Sequence, residues 1–327
     1  MDIKSNFAHP LVTIVTITRN LVKEKREAFA KACIESVHFQ SYPYIEHIII
    51  DGASEDGTLE FLQSYVDKGY LTVYSEPDQG IYDAMNKGLA RAKGKYINFL
   101  NTDDFFHNPL AVEVSVQQLE SHKADYSFAN AFLQYPNGKK VVWTGNIMRL
   151  AWASHYCHQT MFVRSELLRH IGGFNTDYKI SADTEMMIHL YAMRAKYVKV
   201  DDNIVTYRAG GYSSQNQLQS RLDHSKAFYT HIGQYVGLTQ SDCFLLWNKA
   251  FIDELSRDEQ LDLVCKVPHE YGQKELIEEI IFRSAVGNRF NKKYYLFGFL
   301  PVMRCKQHRN NIKYLLFSFF PLLIVKQ

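Results

Sequence analysis

"LTVYSEPDQGIYDAMNKGLARAKGKYINFLNTDD" (71–104) holds a strand, a helix and a second strand in one short run. "LTVYSE" (71–76) is rich in β-formers. "IYDAMNKGLARAKG" (81–94) has helical spacing and a terminal glycine, a common helix stop. "KYINFL" (95–100) is an apolar strand that ends at two adjacent carboxylates, Asp103 and Asp104. Two strands joined by a helix of this length predict a right-handed crossover and a parallel sheet. Upstream the alternation repeats. "LVTIVTI" (11–17) reads as a strand covered on both faces, and "REAFAKACIESVHFQ" (26–40) as a helix with Phe29, Cys33, Ile34 and Val37 on one side. "YIEHIIID" (44–51) is the next strand and "TLEFLQSYV" (58–66) the next helix.

The composition suits an ordinary packed protein: 327 residues, 46% hydrophobic and 22% charged. A net charge of +2 offers no field for nucleic acid, and none is expected as a partner. The five cysteines (Cys33, Cys157, Cys243, Cys265 and Cys305) form no C-x-x-C pair, which suits a reducing compartment and no cysteine zinc site. The polar opening "MDIKSNFAHP" does not read as a signal peptide, so a cytoplasmic location is expected.

After residue 110 the pattern is mixed. Asn108-Pro109 predicts a helix from Pro109 to about Ser121. "DYSFANAFLQYPNGKKVVW" (125–143) predicts a hairpin turning at Pro136-Asn137-Gly138. "SADTEMMIHLYAMRA" (181–195) reads as a helix and "KYVKVDDNIVTYR" (196–208) as a closing pair of strand segments. Three regions are expected: an α/β domain over 1–212, a helical region over 213–290, and a tail over 291–327. The tail carries an internal repeat, since "KYYLFGFLPVMRCK" (293–306) returns as "KYLLFSFFPLLIVK" (313–326) with seven of fourteen positions identical. Neither copy can span a bilayer, which takes about 20 apolar residues. Two readings stay open, segments that pack on the protein and a peripheral membrane foot.

Ligands of open parallel sheets bind at the carboxyl ends of the strands. Those ends carry "TITRN" (16–20), "DGASEDGT" (51–58), "EPDQG" (76–80) and "NTDD" (101–104). No G-x-G-x-x-G or G-x-x-x-x-G-K-[ST] loop is present to cradle phosphates. Carboxylates at a strand end can instead hold Mg²⁺ or Mn²⁺, which in turn holds a diphosphate. Helix capping is the competing role for Asp103 and Asp104, and Asn108 is better placed for it.

Five blocks, "LVTIVTITRN", "EHIIIDGASEDGTLEFL", "SEPDQGIYDAMNKGLARAKGKYINFLNTDD", "CHQTMFVRSELLRHIGGFN" and "KISADTEMMIHL", resemble in order and spacing the inverting family 2 glycosyltransferases of GT-A fold. The resemblance spans about residues 11 to 208 and is closest to bacterial members that build lipopolysaccharide, capsule and other surface glycans. It implies a Rossmann-like, mostly parallel sheet flanked by helices, a nucleotide-sugar donor, a UDP-sugar above all, and a Mn²⁺ or Mg²⁺ cofactor. It further implies a hexosyl- or N-acetylhexosaminyltransferase acting on a glycan or lipid-linked glycan hydroxyl at the inner face of the cytoplasmic membrane. Asp51 matches the aspartate on the donor base, and Thr16, Thr18 and Asn20 match the nucleotide-contacting turn. "NTDD" matches the D-x-D-type motif, with Asn101 toward the ribose, Asp103 as the primary metal ligand and Asp104 supporting it. Asp83 and Lys87, one helical turn apart, are expected to line the donor pocket. Asp183 matches the catalytic base, although aspartate is also favoured at a helix N-cap. His158 matches a histidine that assists the metal, the diphosphate or the acceptor, against the competing role of a core histidine. Gly172-Gly173 predicts a tight turn near the acceptor cleft. A nucleotidyltransferase and an inactive GT-A scaffold are the alternatives. The first lacks its glycine-rich loop in "TITRNLVKEKRE", and both Asp103 and Asp183 are present against the second.

Overall fold

β1 (Val12–Thr18) is buried along almost its whole length because it lies between two parallel neighbours, β2 (Ile45–Asp51) and β4 (Tyr96–Phe99). β3 (Thr72–Ser75) pairs in parallel with β2. Three helices make the crossovers: α1 (Glu27–His38), α2 (Thr58–Val66) and α3 (Ile81–Arg91). The sequence placed all seven elements to within a few residues. In this computed structural model the described residues are 9–151, 155–211, 215–248 and 256–267, with the backbone of 291–296, 300–308, 311–316 and 323–326.

Apolar spacing on α1 serves two clusters. Ala30 and Ile34 pack with Ile49, Leu62 and Leu71, whereas Cys33 and Val37 pack with Val12, Ile14 and Tyr96. Phe29 departs from the expected shared face. It is 41% exposed and lies beneath the Arg208 guanidinium, 4.4 Å from the ring centre. α3 lies close on β1 because Gly88 has no side chain; a Cβ there would stand 2.4 Å from Val15 Cγ1.

The second half folds onto this parallel half. β5 (Phe105–Phe106), α4 (Ala111–His122), β6 (Tyr126–Gln134), β7 (Lys140–Trp143), β8 (Phe162–Arg164), α5 (Ser165–His170), α6 (Ala182–Ala192) and β9 (Tyr197–Arg208) follow in order. The sheet reads β3-β2-β1-β4-β8-β6-β9-β5, with β7 paired to β6. β8 is antiparallel to both β4 and β6, and β9 is parallel to β6. The sequence did not signal β5, β8 or α5, which are too short to show a period. The helix expected from Pro109 starts at Ala111, because Asn108 Oδ1 accepts from Leu110 N at 2.8 Å and holds residues 108–110 in a turn. The hairpin turns at 135–139 as expected, with Gly138 at φ +82°. In place of two strand segments there is one strand, β9, whose pairing with β6 shifts register about Asn130.

α7 (Gln217–His231), α8 (Gln240–Trp247) and α9 (Arg257–Cys265) follow. α7 packs against α6, so it belongs to the first of two compact units, 1–271 and 272–327. Among the described residues, no helix is long and apolar enough to cross a membrane. The second unit contains β10 (Asn291–Leu296), β11 (Leu300–His308), β12 (Asn311–Leu316) and β13 (Leu323–Lys326), an antiparallel sheet in that order. The sequence repeat is also a pairing repeat. Asn291↔Lys306 and Lys293↔Arg304 in the first copy recur as Asn311↔Lys326 and Lys313↔Ile324 in the second. Each copy is therefore one β-hairpin.

Candidate active site

The carboxyl ends of β1 and β4, the start of α3, the start of α6 and the end of β9 surround one open cleft of about 1240 Å³. Two groups of carboxylates face into it.

The first group lies beyond β4. Asp104 is buried, with Oδ1 accepting from Arg208 N at 2.9 Å and Oδ2 from Gln159 Nε2 at 2.7 Å. Burial, and then the Asp103 charge, push its carboxyl well above the usual range against those hydrogen bonds. Asp103 is more open. Its Oδ2 pairs with Arg26 Nη2 at 2.7 Å, and its backbone carbonyl accepts from Arg208 Nη1. Asn101 Oδ1 and Thr18 Oγ1 are buried with no hydrogen-bond partner among the described residues. The two adjacent carboxylates offer oxygen donors alone, a chemistry that fits a hard divalent cation.

The second group is centred on Asp183, in the first turn of α6. Ser181 stands at that helix's N-cap position, without a side-chain capping bond, so Asp183 lies inside the first turn and is not the N-cap. Asp183 Oδ2 meets His158 Nδ1 at 2.8 Å, and Oδ1 accepts from Tyr82 Oη at 3.1 Å. The Tyr82 hydroxyl is also shared with the Ile180 carbonyl at 2.5 Å. Burial and the Asp183 charge raise Tyr82 well above its ordinary pKa, which keeps the phenol protonated as a donor. Burial pushes the Asp183 carboxyl up, but the hydrogen bond and charge of His158, together with the charge of His224, outweigh it and hold it at about 2. Burial in turn holds His224 down at about 4, against the pull of Asp183 and Asp223.

Several expected site residues lie elsewhere. Thr16 faces the core, with Oγ1 3.0 Å from His47 Nε2; it shares a face with Thr18 but lies two residues inside β1, and of the two only Thr18, at the strand's carboxyl end, lines the cleft. Asp51 is fully buried and holds its own loop, accepting from Ser54 N, Ser54 Oγ and Ser75 Oγ at 2.6–2.9 Å. Asn20 takes a left-handed φ of +52°, and its amide donates to Ser54 Oγ at 2.7 Å. These two residues shape the turns beside the cleft and do not line it. Asp83 and Lys87 do share a face, as expected, but that face turns back onto the "PDQG" loop. Asp83 Oδ2 accepts from Gln79 N at 2.9 Å and meets Lys87 Nζ at 3.1 Å, and Lys87 also donates to the Pro77 carbonyl. The same helix presents Tyr82 to the cleft instead. His158 is committed to Asp183, and the structure does not gather it with Asp103 and Asp104 into one ligand trio. Gly172 and Gly173 form the expected turn, at φ +88° and +75°, but it packs on α3 through Asn86 and not on the cleft.

The sequence reading missed Tyr82, Arg26, Gln159, Arg208 and His224, all of which line the cleft. It also missed Asp78, whose Oδ2 passes so close to Gly52 that a Cβ there would stand 2.2 Å away. The glycine of "DGAS" was the one available signal for that approach.

The sequence profile of "Glycosyl transferase family 2" matches residues 13–187, more than half of the chain. The chain is 28% identical over 201 residues to a PGL/p-HBAD biosynthesis glycosyltransferase of Mycobacterium bovis (strain BCG / Pasteur 1173P2), covering 59% of this chain and 75% of that one. It is 33% identical over 131 residues, 39% of this chain and 50% of the other, to a Bacillus subtilis (strain 168) protein named for teichuronic acid biosynthesis, TuaG. In three dimensions it resembles S. aureus TarS 1-349 in complex with UDP, with a TM-score of 0.55 over 91% of this chain and 96% of that one, at 15% identity. That likeness gives the GT-A fold. The chain is a glycosyltransferase and belongs to glycosyl transferase family 2.

Proposed function

We propose that the protein moves a sugar, with inversion, from a UDP-sugar to a hydroxyl of a glycan or lipid-linked glycan in surface-polysaccharide synthesis. The observation that carries this reading is the pairing of Asp183 with Tyr82 and His158 inside the cleft that also holds Asp103 and Asp104. Asp183 takes the proton of the acceptor hydroxyl as its oxygen attacks the anomeric carbon. The nucleoside diphosphate leaves with the bonding pair. Tyr82 and His158 hold the carboxylate in position, and Asp103 with Asp104 would hold Mn²⁺ or Mg²⁺. A bound ion supplies a Lewis acid to the departing diphosphate. The unpartnered Asn101 Oδ1 and Thr18 Oγ1 offer oxygens to the donor's ribose or base.

UDP bound to a structure of the same fold supports the choice of base. The test is a thermal-shift screen of UDP-, GDP- and dTDP-sugars with Mn²⁺. A UDP-sugar is expected to raise the midpoint by an amount that grows with the logarithm of its concentration over its Kd; a response to GDP- or dTDP-sugars alone would reassign the donor.

The tail belongs to the same proposal. The register sets Lys293 opposite Arg304 and Lys306 opposite Lys313. Basic residues recur along both hairpins in the sequence, and such a composition suits an anionic lipid surface. Deleting residues 291–327 is expected to abolish co-sedimentation with anionic vesicles while UDP binding persists. Unchanged sedimentation would remove the membrane from the proposal.

A further inference from the structure

Helix α6 presents a second group of chemically active side chains, separate from the residues lining the cleft. Glu185 and His189 are one turn apart on it, and His231 comes from the last turn of α7. Their ligand atoms all lie within 4.8 Å of one another, and among the described residues no other trio of His, Cys, Asp or Glu does so. Glu185 is 5% exposed. Its Oε1 meets His231 Nε2 at 2.6 Å. The His189 ring stacks on that of His231, with centroids 4.4 Å apart and planes 18° apart. Neither ring nitrogen of His189 is hydrogen-bonded among the described residues.

We propose that Glu185, His189 and His231 form a metal site for a Zn²⁺-class cation that clamps α7 to α6. The ligand chemistry selects the ion: two imidazoles and one carboxylate suit zinc and its borderline neighbours, whereas Mg²⁺ and Mn²⁺ prefer all-oxygen sets. Ligand atoms around tetrahedral zinc stand about 3.3 Å apart and each imidazole holds the ion in its own plane, so the His189 ring turns out of its stack on His231 to close the group around an ion. Three protein ligands leave a fourth position for water, reached from the half-buried His189 side.

The position gives the clamp its consequence. α7 also carries Ser220, whose hydroxyl lies 3.2 Å from that of Ser181, and His224, which lines the same cleft as Asp183. An ion bridging the two helices at Glu185 and His231 therefore fixes the wall behind the base. This site is independent of the Asp103–Asp104 pair and of the transfer chemistry proposed above.

The test titrates Zn²⁺, and Co²⁺ as its spectroscopic substitute, into metal-stripped full-length protein without nucleotide. One equivalent is expected to bind, to give a tetrahedral Co²⁺ spectrum, and to raise the thermal midpoint. His189→Gln and His231→Gln should each lower affinity at least about tenfold, whereas His189→Cys, which restores a zinc ligand, should recover it. His189 is half-buried and can be exchanged without opening the core, so an unchanged metal-free midpoint shows that the variant folds. Asp103→Ala should bind Zn²⁺ as the wild type does. No uptake by wild type, unchanged uptake by His189→Gln, or loss in Asp103→Ala would each overturn the proposal.

Discussion

Asp183→Asn is expected to lower kcat by about 10²–10⁴-fold, the usual contribution of a positioned general base, while UDP binding stays near wild type. The amide is nearly isosteric and can still meet Tyr82, so the fold should survive. What is lost is the acceptor for the hydroxyl proton. Steady-state kinetics beside UDP calorimetry checks this; a variant with wild-type kcat would exclude Asp183 as the base. The pH profile gives a second reading. A carboxyl held at about 2, below its ordinary 3.8, is ionised throughout the working range. Its contribution to stability is therefore present above pH 4 and lost only as pH falls toward 2. The acid limb of kcat/KM in the wild type thus belongs to another group. Replacing His158 with Ala removes the hydrogen bond and charge that oppose burial. The Asp183 pKa then rises, and an acid limb due to it should move up into the measurable range.

Asp103→Ala should reduce kcat/KM by about 10²–10³-fold, the scale of losing one main electrostatic stabiliser of a leaving group. It should also abolish the Mn²⁺-dependent part of UDP affinity. Its cost to folding is small, because its Arg26 partner is 40% exposed and such pairs contribute about 0–1 kcal/mol. Asp104 is a poorer test. Truncating it strands the Arg208 amide and the Gln159 side chain in a buried site, at about 1–3 kcal/mol each. Calorimetry with and without Mn²⁺ decides the point: equal metal enhancement in Asp103→Ala and wild type would remove Asp103 as a ligand.

The parallel half of the fold was legible because each strand and helix there is long enough to show its period and is punctuated by a polar turn. β8 and α5 were not, since three and six residues display no period. Within the cleft, Asp103 and Asp104 were legible as carboxylates at a strand end, whereas Asp183 stood out only through the family resemblance, since its place at a helix start suits a cap equally. Thr16 misled because it shares a face with Thr18 but sits two residues inside the strand, and residue type alone does not say where the strand stops. Asp83 and Lys87 misled in a related way. Their i, i+4 relation was right, but the pair braces a loop, and the neighbouring Tyr82 faces Asp183. Arg26 and Arg208 reach Asp103 and Asp104 from the start of α1 and the end of β9, contacts of sequence separation that no local pattern reports.

Those separations also bear on how the chain becomes an enzyme. Tyr82 and Asp183 are 101 residues apart, and the Arg208 amide and Asp104 are 104 apart. Contacts that close such long loops depend on distant parts of the chain meeting. The parallel half alone holds a tyrosine with no carboxylate to orient and a buried aspartate without the amide that satisfies it. The opposite half holds Asp183 without its support. The assembled cleft therefore arises only when the halves dock, and an incompletely folded chain keeps these carboxylates apart from the groups that orient them.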